Sequence, residues 1–187
     1  MSHSEITAPP LSTRDALLEA TLRVIAREGM RAVTHRKIAA EAGVSLSATS
    51  YHLSNIQNIL YESMERYVVS ARERYEPSGR IETSEQMVEA IITLVLNIHR
   101  DQDDIVLMYE LYAQGARDPR YFDLISEWSD STQRSIRRIF DPVTALKLES
   151  LLEGFIFLRA LTKHPLEVDT MRSALNEIIA ASRGAKQ

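Results

Sequence analysis

The residues that follow Gly43 carry short side chains suited to hydrogen bonding in a confined space. Residues 45–50 read SLSATS, and hydroxyl groups stand at Ser45, Ser47, Thr49 and Ser50. Short side chains allow a helix to lie deep in a groove of a duplex, and hydroxyls can hydrogen-bond with base edges or phosphate oxygens. The stretch therefore has the chemistry of a surface that contacts nucleic acid, provided that it is helical and exposed.

The residues just before this stretch predict a tight turn between two helices. Ala39 and Gly43 are four positions apart, and glycine can leave a helix with a positive φ at little cost. Val44 is expected to fill the gap between the two helices, and Ser45 to cap the second. This order of residues is typical of a helix-turn-helix. Taken alone, it fits equally a tight helical hairpin inside an enzyme or a scaffold protein.

The rest of the chain indicates an all-α protein of about nine helices. Glycine and proline number six each, and they fall between segments of helical periodicity. The first three helices are predicted at 12–28, 34–42 and 45–52, and Ser54 is expected to cap a long fourth.

Later helix starts are predicted from capping pairs. Thr83 and Gln86 have the spacing of a capping box for the fifth helix. Asp118-Pro119 and Asp141-Pro142 each place a capping carboxylate before a proline at the first helical position, which predicts the starts of the seventh and eighth helices. The fifth helix is apolar nearly all round, so we expect it in the middle of a C-terminal core.

Composition excludes several classes of protein. The chain has 187 residues, of which 44% are hydrophobic, and no cysteine, which excludes disulfides, thiolate nucleophiles and cysteine-ligated metals. No apolar run approaches the roughly 20 residues that span a membrane, and the first residues do not resemble a signal peptide. These features suit a cytoplasmic protein, and residues 1–10 are expected to form a disordered tail.

The charge is unevenly distributed along the chain. The net charge is −4, yet residues 1–60 carry six Lys/Arg against five Asp/Glu, a balance of +1. Residues 61–187 carry sixteen against twenty-one, a balance of −5. Any surface that faces a polyanion is therefore expected at the N-terminal end.

The stretch from Arg14 to Leu60 resembles the DNA-binding domain of TetR-family transcriptional regulators. The resemblance rests on Arg14, Leu18, Ile25, Glu28-Gly29, Val33-Thr34, Ile38-Ala39, Ala42-Gly43-Val44-Ser45, Tyr51-His52 and Leu60. It implies a helix-turn-helix DNA-binding domain over 11–54 and a ligand-binding and dimerisation domain over 55–187. The expected DNA contacts lie at the starts of the second and third helices and along the short third helix. They are Thr34, Arg36, Lys37, Ser45, Leu46, Ser47, Ala48, Thr49, Tyr51 and His52.

Three positions depart from the family pattern. Ser47 stands where glycine is common, and Thr49 where many members have leucine or valine. Ile56 stands where a lysine usually meets a DNA phosphate. Loss of one phosphate contact lowers the slope of log affinity against log salt by about 0.9, so affinity is expected to rest on the other groups.

The resemblance also implies an effector cavity enclosed by the fourth to eighth helices. Ligand sites are usually apolar with a few convergent polar groups, although each aromatic residue here fits a core position as well. The residues expected to line the cavity are Tyr67, Asn97, His99, Met108, Tyr109, Tyr112, Trp128, Phe155 and Arg159.

The last two predicted helices, the eighth and ninth at about 143–162 and 166–183, are rich in apolar residues. These include Leu151, Leu152, Phe155, Leu158, Leu161, Leu175, Ile178 and Ile179. A homodimer through helices eight and nine, as the family forms, accounts for this excess better than a monomer core does.

The sequence thus indicates a regulator rather than an enzyme. A ligand-released repressor that binds a palindromic operator is the leading interpretation, and an activator or a regulator without a small-molecule inducer is the alternative. His99-Arg100-Asp101 resembles a kinase catalytic loop, but Val106 stands where asparagine is required. The acids at 101–104 are better explained by a helix start than by a metal site, so no cofactor or metal is expected.

Overall fold

A computed structural model of the protein describes residues 12–47, 55–75, 80–98 and 102–184. These ranges contain eight α-helices and no strand, which confirms the all-α prediction. The helices are α1 (Thr13–Glu28), α2 (His35–Ala42), α3 (Ile56–Tyr75), α4 (Ser84–Ile98), α5 (Gln102–Gly115), α6 (Pro119–Ile136), α7 (Pro142–Leu161) and α8 (Val168–Gly184), with a 3₁₀ turn at Met30–Ala32. The predicted helix 45–52 lies mostly outside the described residues, although residues 46 and 47 are helical. None of the described helices is long and apolar enough to cross a membrane.

The chain forms two compact units, Met1–Tyr67 and Val68–Gln187. The boundary falls inside α3, so this one continuous helix contributes residues to both units. The predicted domain boundary at 54/55 stands just before the start of α3. The predicted tail, residues 1–10, lies outside the described residues.

In unit 1, α1 packs against α2 and is capped at both ends. The Ser12 hydroxyl accepts a hydrogen bond from the Asp15 backbone N–H at 3.1 Å, and Gly29 ends the helix with φ 82°. Arg66 of α3 donates to Asp15 at 2.7 Å and to Glu19 at 2.6 Å. These bonds fix the N-terminal half of α3 against α1.

The start of α3 differs from the prediction in its cap. The Asn55 side-chain oxygen accepts a hydrogen bond from the Gln57 backbone N–H at 2.8 Å, which is the geometry of an N-cap. The predicted cap, Ser54, lies outside the described residues, and Asn55 fills that role one position later.

Two buried hydroxyls in unit 1 have different hydrogen-bond status. Thr21 of α1 donates to the Leu17 carbonyl at 2.8 Å. The Ser63 hydroxyl of α3 is fully buried and has no hydrogen-bond partner among the described residues. A buried hydroxyl without a partner costs free energy because its hydration is lost without replacement.

We therefore expect Ser63→Ala to raise the free energy of unfolding by about 1 kcal/mol. Chemical denaturation monitored by circular dichroism would measure the change. Thr21→Val is the matched control, because it removes a hydroxyl that is already bonded and should give no gain. A destabilised Ser63→Ala protein would show that the hydroxyl makes a bond after all.

In unit 2, the predicted capping pairs are confirmed. The Thr83 hydroxyl accepts a hydrogen bond from the Gln86 backbone N–H at 3.2 Å. The Gln86 side-chain oxygen accepts one from the Thr83 backbone N–H, also at 3.2 Å. Asp118 caps α6 by accepting from the Arg120 N–H at 3.0 Å, and Asp141 caps α7 by accepting from the Val143 N–H at 3.0 Å. Each aspartate precedes a proline at the first helical position.

Helix α4 lies in the core of unit 2, as its apolar sequence predicts. It packs against α7 and α8, while α6 packs against α5 and α7. The buried residues of α4 are Met87, Val88, Ile91, Ile92, Val95 and Ile98. This packing also places residues of α4 in the wall of a cavity.

Candidate DNA interface and ligand cavity

The turn after α2 has the geometry that its glycine predicts. Gly43 is left-handed with φ 67° and ψ 28°. The Val44 backbone N–H donates to the Ala39 carbonyl at 3.0 Å, and the Gly43 N–H donates to Ala40 at 3.3 Å. These bonds close the end of α2, and residues 46 and 47 then begin a new helical turn. The first helix and the turn of a helix-turn-helix are therefore present, and residues 48–52 of the predicted second helix lie outside the described residues.

The described residues at the predicted DNA contacts lie at or near helix starts. The Thr34 hydroxyl caps α2 by accepting from the Lys37 N–H at 3.3 Å. The hydroxyls of Ser45 and Ser47 are 3.1 Å apart, and Leu46 is 51% exposed. A leucine so exposed at the start of a helix is available for contact with a partner.

The remaining predicted contacts of this helix lie outside the described residues. They are Ala48, Thr49, Tyr51 and His52. Their contact with DNA stays a prediction.

An ionic network ties α1 to α2 beside the turn. Glu41 accepts hydrogen bonds from Arg23 at 2.8 Å and from Arg27 at 2.9 Å. Glu28 accepts from Lys37 at 2.6 Å and also lies 3.3 Å from Arg27. The hydrogen bond from Lys37 lowers the pKa of Glu28, and the bond from Arg23 lowers the pKa of Glu41. The network holds the two helices in register at a solvent-exposed surface.

The two predicted cationic contacts in α2 therefore differ. Lys37 is held by Glu28, whereas Arg36 is exposed and forms no ion pair with any residue in the described ranges. Sequence spacing does not distinguish them, because Glu28 lies nine positions away from Lys37 and meets it only through the packing of α1 on α2.

Unit 2 contains a cavity of about 160 Å³ lined by residues of α3 to α7. Its wall is mainly apolar, with Met87 and Ile91 from α4 and Leu152 from α7. Arg72 and Tyr75 of α3 also line it. These helices are the ones numbered four to eight in the sequence-based prediction.

The predicted ligand residues fall into several environments. Those in the lining are Met108, Tyr112 and Trp128. Tyr109 is outside the lining and packs edge-on against Tyr112, with ring centroids 6.0 Å apart. Phe155 is buried in the core, while Asn97 and Arg159 are exposed. Tyr67 is buried in unit 1, and His99 lies outside the described residues. A ligand contact at any of these positions stays a prediction.

Glu153 is a cavity residue that the sequence-based prediction missed. The Tyr112 hydroxyl donates to its carboxylate at 3.2 Å. Glu149, one helical turn earlier, is buried and accepts hydrogen bonds from Ser129 at 2.6 Å and from Gln133. Desolvation raises the pKa of Glu153, and the nearby Glu149 charge raises it further, against the opposing effect of the Tyr112 hydrogen bond. The available signal was the presence of two acids, four apart, in a mainly apolar helix.

The other charged groups near the cavity are compensated. Asp104 accepts hydrogen bonds from Arg74 at 2.7 Å and from the Tyr75 hydroxyl. Arg72 donates to Glu127 at 3.2 Å and to Ser131 at 3.3 Å. By contrast, neither Glu149 nor Glu153 forms a salt bridge with any residue in the described parts of the chain.

We expect Glu153→Gln to raise the melting temperature at neutral pH. The amide oxygen can still accept the Tyr112 hydrogen bond, and the repulsion between the carboxylate and Glu149 is removed. Because the Glu153 side chain is exposed, solvent screens its charge and the gain should be small. Since the folded-state pKa of Glu153 lies above its usual 4.5, the ionised carboxylate destabilises the fold only above that value. The advantage of the variant should therefore shrink as the pH falls towards 4.5 and below.

Differential scanning calorimetry of both proteins across this pH range measures the effect. Acid also weakens the ion pairs of Glu28 and Glu41, but it does so equally in both proteins, so the difference isolates Glu153. A variant less stable than the wild type at neutral pH would contradict the expectation.

Comparison with known proteins identifies two matching family models. The model for bacterial regulatory proteins of the tetR family matches residues 17–61. The model for the tetracyclin repressor-like C-terminal domain matches residues 82–181. No curated protein matches the chain.

Many solved structures share the fold. SCO7518 from Streptomyces coelicolor A3(2) is 34% identical, with a TM-score of 0.75 over 89% of this chain and 97% of that chain. The multidrug binding protein EbrR complexed with malachite green is 25% identical, with a TM-score of 0.65 over 88% and 96%. A protein from Saccharomonospora viridis in complex with choline, 24% identical with a TM-score of 0.68 over 89% and 95%, supports the fold alone.

The two family models cover both units of the chain, and the C-terminal one alone spans more than half of it. The identity with SCO7518 extends over nearly the whole of both chains. Together with the helix-turn-helix geometry of unit 1, these matches establish that the chain belongs to the TetR family of DNA-binding transcriptional regulators.

Proposed function

We propose that the protein is a ligand-released repressor that binds a palindromic operator as a homodimer. Helix α3 is the observation that carries the proposal. Its residues Ile59 and Leu60 are buried in unit 1, which holds the helix-turn-helix, and its residues Arg72 and Tyr75 line the cavity of unit 2. A ligand that displaces the C-terminal end of α3 therefore acts on a helix that is also part of the DNA-binding unit.

Release requires a difference in affinity between two states. A ligand shifts an equilibrium only as far as it binds one state better than the other. We propose that the effector binds best to a conformation in which the position of α3 gives the two recognition helices a spacing that does not match the operator half-sites. The complex of EbrR with malachite green supports a small organic molecule as the effector.

The dimer is proposed to form through an exposed apolar face of α7. Four large apolar side chains of this helix are 49–63% exposed in the single chain: Val143, Leu146, Phe157 and Leu161. Their spacing puts them in one stripe along the helix. Exposed large apolar side chains along one face of a helix are typical of a protein–protein interface.

Gly154 is a second feature that favours dimerisation through this face of α7. It lies in the stripe, and glycine inside a helix costs about 1 kcal/mol relative to alanine. A Cβ added to Gly154 would meet no described atom within 4 Å, so packing inside the protomer does not require a glycine. Close approach of a second α7 would require one.

The exposed face of α7 replaces part of the interface that the sequence suggested. Several of the apolar residues that the sequence suggested for it are buried in the core of the protomer, namely Leu152, Phe155, Leu175 and Ile179. Leu161 is exposed, as an interface residue should be. The participation of α8, the ninth predicted helix, stays part of the proposal.

The two cations of α2 lead to different expectations for DNA affinity. Arg36→Ala should weaken binding to all duplexes alike, because its exposed guanidinium forms no ion pair with a described residue and is available to a phosphate. Lys37→Ala should have a smaller effect, since Glu28 already neutralises the ammonium group. Glu28→Gln should release Lys37 and tighten binding. Fluorescence anisotropy at several salt concentrations measures all three, and equal losses for Arg36→Ala and Lys37→Ala would contradict the distinction.

A ligand screen tests release. Compounds that raise the melting temperature are titrated into a complex of the protein with its selected operator, and the DNA affinity is followed by anisotropy. We expect such compounds to release DNA from the wild type but not from Ala90→Phe, whose larger side chain fills the cavity while leaving unit 1 unchanged. Compounds that bind in the cavity without altering DNA affinity would instead support the alternative, a regulator without a small-molecule inducer.

A further inference from the structure

We infer that the cavity of unit 2 binds a small organic cation, a quaternary or substituted ammonium held by the Glu153 carboxylate and by the rings of Trp128 and Tyr112. The inference rests on the proposed function, in which the cavity admits an effector, and it adds the chemical class of that effector. It is argued from the charge, the aromatic wall and the size of the cavity.

The charge of the cavity wall is the first argument. Glu153 lines the cavity, and its only hydrogen bond from a described side chain is the one from Tyr112. Glu149, also without a salt bridge to any described residue, adds a second negative charge one turn away. Two like charges four residues apart repel each other, and a cation in the cavity would relieve that repulsion.

Among the described residues of the cavity lining, one carries a positive charge, and it is already neutralised. Arg72 donates to Glu127 at 3.2 Å and to Ser131 at 3.3 Å. A carboxylate ligand would have to compete with Glu127 for this guanidinium and would also meet Glu153. The wall therefore favours a cation over an anion.

The aromatic residues of the wall are the second argument. Trp128 of α6 and Tyr112 of α5 both line the cavity, with apolar side chains such as Ile91 and Leu152 around them. The faces of indole and phenol rings attract cations, and quaternary ammonium groups are commonly recognised in this way. An alkylated ammonium suits a wall of this kind. Its alkyl groups can contact the aromatic and aliphatic side chains, and its positive charge can pair with the one carboxylate.

The size of the cavity is the third argument. A volume of about 160 Å³ is close to the ~150 Å³ of a cavity that accepts benzene. Pockets for drug-sized ligands are larger, at roughly 300–1,000 Å³. The cavity therefore fits a headgroup of a few heavy atoms.

A groove of about 530 Å³ adjoins the cavity and shares two lining residues with it, Tyr112 and Glu153. These two side chains thus stand between the cavity and the groove. We assign the groove to any longer substituent that the cation carries, with the charged headgroup retained in the cavity beside Glu153.

Three probes of nearly the same shape and different charge test the inference. They are choline, its neutral carbon isostere 3,3-dimethyl-1-butanol, and the anion 3,3-dimethylbutanoate. Binding to the full-length protein is measured by isothermal titration calorimetry. We expect choline to bind on the order of tenfold or more tightly than the neutral probe, and the anion to bind more weakly than either.

Variants locate the binding. Glu153→Gln should lower the affinity for choline by on the order of tenfold and leave that for the neutral probe unchanged. Trp128→Leu should likewise weaken choline more than the neutral probe. Asp123→Asn, an exposed acid of α6 outside the lining, changes the net charge equally and should have no effect. Circular dichroism confirms that each variant is folded.

The outcomes separate this inference from the proposed function. Equal binding of choline and its neutral isostere, preference for the anion, or no binding of choline at millimolar concentration would each overturn the inference. If another compound then released the operator from the wild type but not from Ala90→Phe, the proposed function would still stand. Conversely, choline that binds through Glu153 without releasing DNA would support the inference and contradict ligand release.

Discussion

Phe157→Glu and Leu146→Glu should each convert the protein into a folded monomer with operator affinity reduced by on the order of 100-fold or more. Both side chains are exposed in the single chain, at 49% and 59%, so a charge at either position leaves the protomer core intact. In a dimer the same charge would be buried in an apolar interface without a partner, which is strongly unfavourable. A monomer binds a single half-site, so it loses the extra affinity that a dimer obtains by binding both half-sites at once.

Analytical ultracentrifugation gives the association state, and anisotropy gives the affinity. Phe122→Glu is the matched control, because Phe122 is 58% exposed but lies on α6. It should remain a dimer. A Phe157→Glu protein that is dimeric and binds the operator normally would place the interface elsewhere.

Ile56→Lys should tighten binding to every duplex and steepen its salt dependence. Ile56 is the first residue of α3 and is partly exposed, directly after the Asn55 cap. The family resemblance implies a lysine here in contact with a phosphate. Because a dimer presents this position twice, the slope of log affinity against log salt should steepen by about 1.8, or about 0.9 per phosphate contact.

The competing explanation is that the isoleucine packs against its neighbours. In that case lysine would lower the melting temperature and leave the salt slope unchanged. Gln57→Lys, one position further along and exposed, is a control for the effect of added charge alone. A steeper slope for Ile56→Lys than for Gln57→Lys would establish a specific phosphate contact.

Local features of the fold could be predicted from the sequence because local physics determines them. Thr34, Thr83 and Asp118 cap helices wherever they stand, since the orphan backbone N–H groups are a few residues away. The turn at Gly43 needs a positive φ, and glycine adopts it without the strain that a side chain would cause. The shift of the α3 cap to Asn55 shows the limit of this reasoning, because serine and asparagine cap almost equally well.

The cavity was less predictable because its wall is drawn from five helices. Helical periodicity puts Glu153 and Phe155, two positions apart, on different faces of α7, but it does not tell which face meets the core and which the cavity. Tertiary packing buries Phe155, turns Asn97 and Arg159 towards solvent, and brings Glu153 to Tyr112, which is 41 residues earlier. The pairing of Lys37 with Glu28 also depends on packing, here of α1 on α2.

We propose that a two-fold dimer of this chain recognises DNA through two equivalent helix-turn-helix units. Selection of duplexes from a random pool by the full-length protein, followed by sequencing, tests it most directly. We expect an inverted repeat whose half-sites lie about one helical turn (~34–36 Å) apart, bound by one dimer. Recovery of a single asymmetric half-site, or no enrichment over the starting pool, would contradict the claim.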